Sequence, residues 1–143
     1  MNKQDTIKSL KQCVDRQDFI MTRIRNSINQ RRENEILDVL HQTTAFGSFL
    51  YDENNRLRPL LGSILFDGIG KYYEQWKETC DSIFNMLVVD KTARKPKLKK
   101  ITGKDEDIIK AIFDDLMTIH DNLKRQCETG FARLNALSDD KFS

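Results

Sequence analysis

Three stretches of the chain repeat apolar residues at intervals of three and four, and that period leaves little choice of fold. In the first, Ile7, Leu10, Val14, Met21, Ile24 and Ile28 keep the spacing, with Gln17 the one polar member. Residues so placed fall along one side of an α-helix as a narrow seam, which another helix must cover. In the second stretch Leu61, Leu65, Ile69, Tyr72, Trp76, Ile83 and Leu87 keep helical spacing to about residue 89. The third holds Ile109, Ile112, Leu116, Ile119, Leu123, Leu134 and Leu137. The expectation is an all-α fold: an antiparallel bundle of three long helices in one domain over residues 1–143, since short connections force neighbours to run antiparallel. A chain of 143 residues is long enough to bury such a core by itself.

The first helix carries an ambiguity. The stretch NQRRENE (29–35) is wholly polar, and apolar residues resume at Ile36, Leu37, Leu40, Phe46 and Leu50. Their stripe centres roughly 100° round from the first, far more than the ~20° per heptad that supercoiling absorbs. Either the helix breaks near 29–35, giving a four-helix bundle, or one long helix faces two partners. A turn is well signalled at DENNRLRP (52–59), where Pro59 suits the first turn of the next helix. After residue 104, Asp105 is the expected N-cap, with Glu106 and Asp107 placing negative charge where the helix dipole favours it. Length adds a constraint, because a helix over 5–51 would span roughly 70 Å and one over 58–89 about 48 Å. If the first helix is continuous, Ile7, Leu10 and Val14 project past the second. The seam from Ile7 through Met21 is then the expected self-association surface of a homodimer, whereas a break folds it back.

Charge is distributed unevenly. Residues 91–104 carry Lys91, Arg94, Lys95, Lys97, Lys99, Lys100 and Lys104 without one carboxylate. Elsewhere 17 Lys/Arg face 22 Asp/Glu, a net charge of −5, so this is a mildly acidic protein with one basic patch. The irregular spacing of the cations, with Pro96 and Gly103 among them, reads as a loop over 90–104 joining two helices. Such a loop attracts anionic lipid, nucleic acid or an acidic protein. It holds no aromatic residue, so bases have nothing to stack on within it. RKPKLKK also has the composition of a nuclear-import signal.

Other chemistry has weaker footing. GSILFDGIGKYY (62–73) contains three glycines but lacks the spacing and the Gly-Lys-Ser/Thr of a phosphate-binding loop, so burial within the bundle is expected. Cys13, Cys80 and Cys127 form an odd, widely spaced set that reads as reduced thiols packed as small hydrophobes. In an antiparallel register His41, Asp67 and Cys127 fall at about one level, a grouping that would suit a thiol nucleophile but has no accompanying motif. The residues three before His41 and His120 are Asp38 and Met117, so the Glu-x-x-His metal pattern of bundles is missing. No catalytic residue, metal, cofactor or small-molecule substrate is expected. Phe46, Phe49 and Tyr51 are expected to plug the end of the bundle opposite the basic loop.

The amino terminus has no apolar run of a secretory signal, and the most apolar window (59–70) is shorter than the ~20 residues a bilayer span requires. The expected location is intracellular: cytoplasmic, with the nucleus as a second site. In layout, three long antiparallel helices with a basic loop at one tip resemble BAR-type membrane-remodelling domains. That resemblance implies dimerisation through the helices and lipid contact by basic tips; no residue motif carries it. The leading expectation is a non-enzymatic scaffold or adaptor that binds partner proteins or itself through its seams and presents the basic loop to an anionic partner. A BAR-like or other peripheral membrane-binding domain is the alternative. A nucleic-acid-binding protein is the second alternative, and would recruit Arg23, Arg25, Arg31 and Arg32.

Overall fold

The computed structural model describes residues 1–30, 33–90 and 92–143. Along the chain come α1 (Lys3–Gln30), α2 (Glu33–Val39), α3 (Ala45–Leu50), α4 (Leu57–Leu61), α5 (Ser63–Leu87), the strands β1 (Val88–Val89) and β2 (Lys97–Leu98), and α6 (Gly103–Ala136). The fold is an all-α bundle in which α1, α5 and α6 are the long members.

Asn2 opens α1: its Oδ1 accepts from the Asp5 amide at 2.8 Å, satisfying one of the donors a helix start leaves free. The stretch where a break and a continuous helix are both open, 29–35, includes Arg31 and Arg32, which lie outside the described residues, but its flanks decide the question. Arg23 Nη1 meets Asp38 Oδ2 at 3.2 Å, and Asn26 Nδ2 donates to Glu35 Oε1 at 3.2 Å. In one continuous helix residues 23 and 38 would stand ~22 Å apart. Helix α2 therefore lies back along α1, and α3 follows, packed on both α1 and α5. The ring of contacts closes through α5 on α6 and α6 on α1, so α2 and α3 together form a short fourth arm. This reversal places α5 parallel to α1, where Trp76 Nε1 lies 3.4 Å from Met21 Sδ.

The core follows the 3–4 period, with a different membership from the aliphatic residues alone. On α5 the buried stripe is Phe66, Ile69, Tyr73, Trp76, Cys80, Ile83 and Leu87; on α6 it is Ile109, Phe113, Leu116, His120, Leu123, Cys127, Gly130 and Leu134. Leu65, Tyr72, Ile112, Ile119 and Leu137 flank these stripes, half-buried. The end of α6 also covers the seam expected to overhang. Leu10 is fully buried, Val14 and Met21 are buried, and Ile7 packs against the core. Lys3 Nζ donates to the carbonyls of Asn135 and Leu137 at 2.8 Å each, capping α6 with a cation where its dipole is negative. The physical reason is the break: α1 ends at Gln30 after 28 residues, so the 34 residues of α6 can cover its whole seam.

Two glycines shape the other end. Gly62 adopts φ +87° and interrupts the helix expected over 58–89, separating α4 from α5. At Gly47 a Cβ would stand 2.6 Å from Tyr73 Cε2, so only hydrogen fits there. Tyr73 cannot yield: its ring stacks on Phe46 at 5.2 Å and beside Trp76 at 6.3 Å, and its hydroxyl donates to the Thr43 carbonyl at 2.9 Å. Phe46 is buried in that stack and Phe49 half-buried, while Tyr51 stays 47% exposed and donates to Glu74 Oε1 at 3.2 Å. Leu10→Ala is expected to lower unfolding stability by about 2–5 kcal/mol, the cost of a cavity at a buried leucine. Its urea midpoint should not depend on protein concentration, whereas a seam serving a second copy would give a concentration-dependent midpoint.

Candidate functional site: a basic hairpin at one end of the bundle

The connection between α5 and α6 is not the irregular loop its charge spacing suggests. Two β-branched residues end α5, and the chain leaves the helix extended at Val88. Val88 pairs with Leu98 and Val89 with Lys97 in a short antiparallel ladder. The Lys99 amide donates to the Leu87 carbonyl at 2.7 Å, extending the pairing by one bond. Asp90 takes the left-handed conformation at φ +45°, and its Oδ1 accepts from the Thr92 amide at 3.2 Å and the Thr92 hydroxyl at 2.6 Å. Pro96 then favours extended geometry at Lys95 just ahead of β2. The following helix starts at Gly103 with Thr102 as N-cap, three residues earlier than the expected Asp105; the Thr102 hydroxyl accepts from the Asp105 amide at 3.4 Å.

Alternation gives the hairpin two faces. Val88 is buried, and Leu98 and Ile101 pack against the core, with β2 lying beside α2. The opposite parity turns outward, and Val89 and Lys97 are both exposed. Arg94, Lys95, Lys99, Lys100 and Lys104 are exposed as well, while Lys91 lies outside the described residues. Lys99 Nζ donates to the Asn85 carbonyl at 2.9 Å, tying the hairpin to α5. Among the described residues Arg94, Lys95, Lys97, Lys100 and Lys104 make no ion pair. The arrangement is thus a row of solvated cations on a backbone held in place from behind. Of the arginines considered with it, Arg23 is held by Asp38 and stacks on Phe19 at 4.7 Å, and Arg25 lines a groove between α1 and α6; Arg31 and Arg32 are outside the described residues.

The His41–Asp67–Cys127 grouping is not assembled. His41 is exposed between α2 and α3, Asp67 pairs with Arg58 at 2.9 Å, and Cys127 is fully buried. A different polar cluster, unforeseen from the sequence, joins α1 to α6. His120 Nε2 lies 2.7 Å from Asp18 Oδ1, and Lys124 Nζ lies 3.2 Å from Asp18 Oδ2. Its signal was the His120/Lys124 pair one helical turn apart, both able to reach a single carboxylate. The imidazole is buried, and its Nδ1 has no partner among the described residues, so the group serves as an inter-helix tie beside a groove of about 270 Å³. No group of three or more His, Cys, Asp or Glu among the described residues could hold a metal ion, and no described helix is long and apolar enough to cross a membrane.

Burial raises the pKa of all three thiols: that of Cys13 above its ordinary value, that of Cys80 well above it and that of Cys127 to about 12. Brief iodoacetamide labelling at neutral pH should therefore mark half-buried Cys13 first and spare Cys80 and Cys127 until the protein is unfolded, as mass spectrometry would report. An unfolded thiol ionises near 9.0 while folded Cys127 keeps its proton to about 12. Its contribution to stability is intact below pH 9 and is lost as the pH rises beyond.

Compared with protein-family models, with curated proteins and with solved structures, the chain finds no match.

Proposed function

We propose that this chain is a non-enzymatic helical-bundle interaction module whose basic hairpin docks an anionic partner. The observation that carries the reading is the division of the hairpin into an anchored apolar face and a solvated cationic one. The ladder, the Leu98 and Ile101 contacts and the Lys99–Asn85 bond hold the segment without help from Arg94, Lys95, Lys97, Lys100 or Lys104. Those five cations are exposed and repel one another, so the fold gains nothing from their sign. A polyanion would gain from it, since each fixed cation it meets releases condensed counterions and adds salt-sensitive affinity.

The apolar seams enter this reading as the frame and not as the docking surface, because Leu10, Val14 and Met21 are already covered within the chain. The triple variant K95Q/K97Q/K100Q tests the reading, with Lys99 left in place for its structural bond. On immobilised heparin the variant should elute at clearly lower salt than wild type. Its thermal midpoint should stay the same or rise slightly, as expected when exposed like charges are removed. Equal elution salt for the two proteins would show that the hairpin is a solvated linker.

A further inference from the structure

We propose that the anionic partner is the surface of a lipid bilayer carrying acidic headgroups. This rests on the docking role of the hairpin and goes beyond it by choosing among polyanions. Two features of the cationic face make the choice.

The first is its chemistry. Five of the six described cations between 94 and 104 are lysines, and no aromatic residue lies among them. Lysine is a compact point charge on a flexible stem, whereas bidentate reading of a base edge calls for arginine, and unpaired bases call for an aromatic platform. The single Arg94 and the missing rings leave a surface suited to a diffuse field of headgroups, where flexible stems can extend their amines to whatever phosphates or carboxylates lie near.

The second is the apolar residues left in solvent beside these lysines. Val89 is 51% exposed and stands directly across the ladder from Lys97, on the same outward face. Ile108 is 42% exposed on the second turn of α6, four residues after Lys104 and so on the same side of the helix. Neither serves the core, and a nucleic acid or a carboxylate-rich chain offers such side chains little. At a membrane interface, apolar side chains next to lysines settle into the headgroup boundary while the amines stay at the phosphates. Of the bordering carboxylates, Asp90 is turned onto Thr92, Asp105 and Glu106 are half-buried on α6, and the exposed Asp107 marks the edge of the patch. With no described helix able to span a bilayer, attachment through this face is peripheral.

The test uses the full chain with sedimented vesicles of phosphatidylcholine alone or mixed with phosphatidylserine, and in parallel fluorescein-labelled RNA and duplex DNA, all at moderate salt. Wild type should bind the serine-containing vesicles and not the neutral ones. K95Q/K97Q/K100Q should bind them about a hundredfold more weakly, at about fivefold per lysine. Val89→Ser should weaken vesicle binding about fivefold while leaving heparin elution unchanged, because only the apolar contact is lost. Nucleic-acid binding tighter than vesicle binding, or heparin binding without vesicle binding, overturns the bilayer assignment and leaves the hairpin as an anion-docking site. Val89→Ser binding vesicles as tightly as wild type also overturns it, since charge alone does not single out a bilayer. If wild type binds neither heparin nor vesicles, the docking role itself is wrong.

Discussion

Everything in this bundle leans on the buried stripe of α6. From Ile109 to Leu134 its core positions step by four and three without a break, and the helix runs 34 residues with no interruption. One side of that stripe meets α5 and the other α1, so α6 is the element that joins the two other long helices into one core. Because it exceeds α1 in length, it also reaches the amino-terminal turn, where Lys3 holds its last carbonyls. The two ends of the chain are thereby fixed against each other. Burial along such a stripe is worth roughly 1.5–3 kcal/mol for each large apolar side chain, which outweighs the weak intrinsic helix preference of its Asp, Thr and His positions.

The stripe is not purely apolar, and its polar members decide how α1 and α6 meet. His120 occupies a core position and satisfies Nε2 through Asp18, which Lys124 also holds. Next to Asp18, the Gln17 side chain is buried with neither its nitrogen nor its oxygen partnered among the described residues. A buried polar group without a partner costs about 1–3 kcal/mol. The bundle tolerates that cost at one level because the surrounding layers are apolar: Met21, Ile24, Leu116 and Leu123 are all buried. The contact between His120 and Asp18 admits one helical register, since a shift of either helix by a turn would move the imidazole about 5.4 Å from its carboxylate.

The all-α class and the three long helices were legible in the sequence because the 3–4 period survives whatever residues fill it. Which residues fill it was less so. Reading apolar residues at helical spacing as core selected Leu65, Tyr72, Ile112 and Ile119, while the buried positions belong to Phe66, Tyr73, Phe113, His120, Cys127 and Gly130. Adjacent apolar residues such as Leu65–Phe66 and Tyr72–Tyr73 offer two phases of the same period, and only the neighbouring helices choose between them. The fate of the first seam was open for a related reason. An overhang follows only from a first helix that continues to residue 51, whereas α1 ends at Gln30 and α6 covers its seam. Asp18 and His120, 102 residues apart, could not be paired without the bundle order, and the order depends on a reversal that no Gly or Pro announces.

The hairpin shows how local pairing overrides composition. A segment this rich in lysine, with a proline and a glycine, reads as unstructured, because its charges are conspicuous and its ordering contacts are few. Yet the contacts are placed where they matter: Val88 and Leu98 face the bundle, Lys99 bonds α5 through both amide and amine, and Thr102 caps the helix that follows. Backbone groups that would otherwise lie bare at the end of α5 are thus used to orient the strand. Once Val88 and Leu98 point inward, the period of two sends Val89 and Lys97 outward without any further contact. Positive charge and exposed valine on one surface therefore follow from burial on the other. Holding those lysine backbones in advance also reduces the conformational entropy that a flexible loop would lose on meeting a partner.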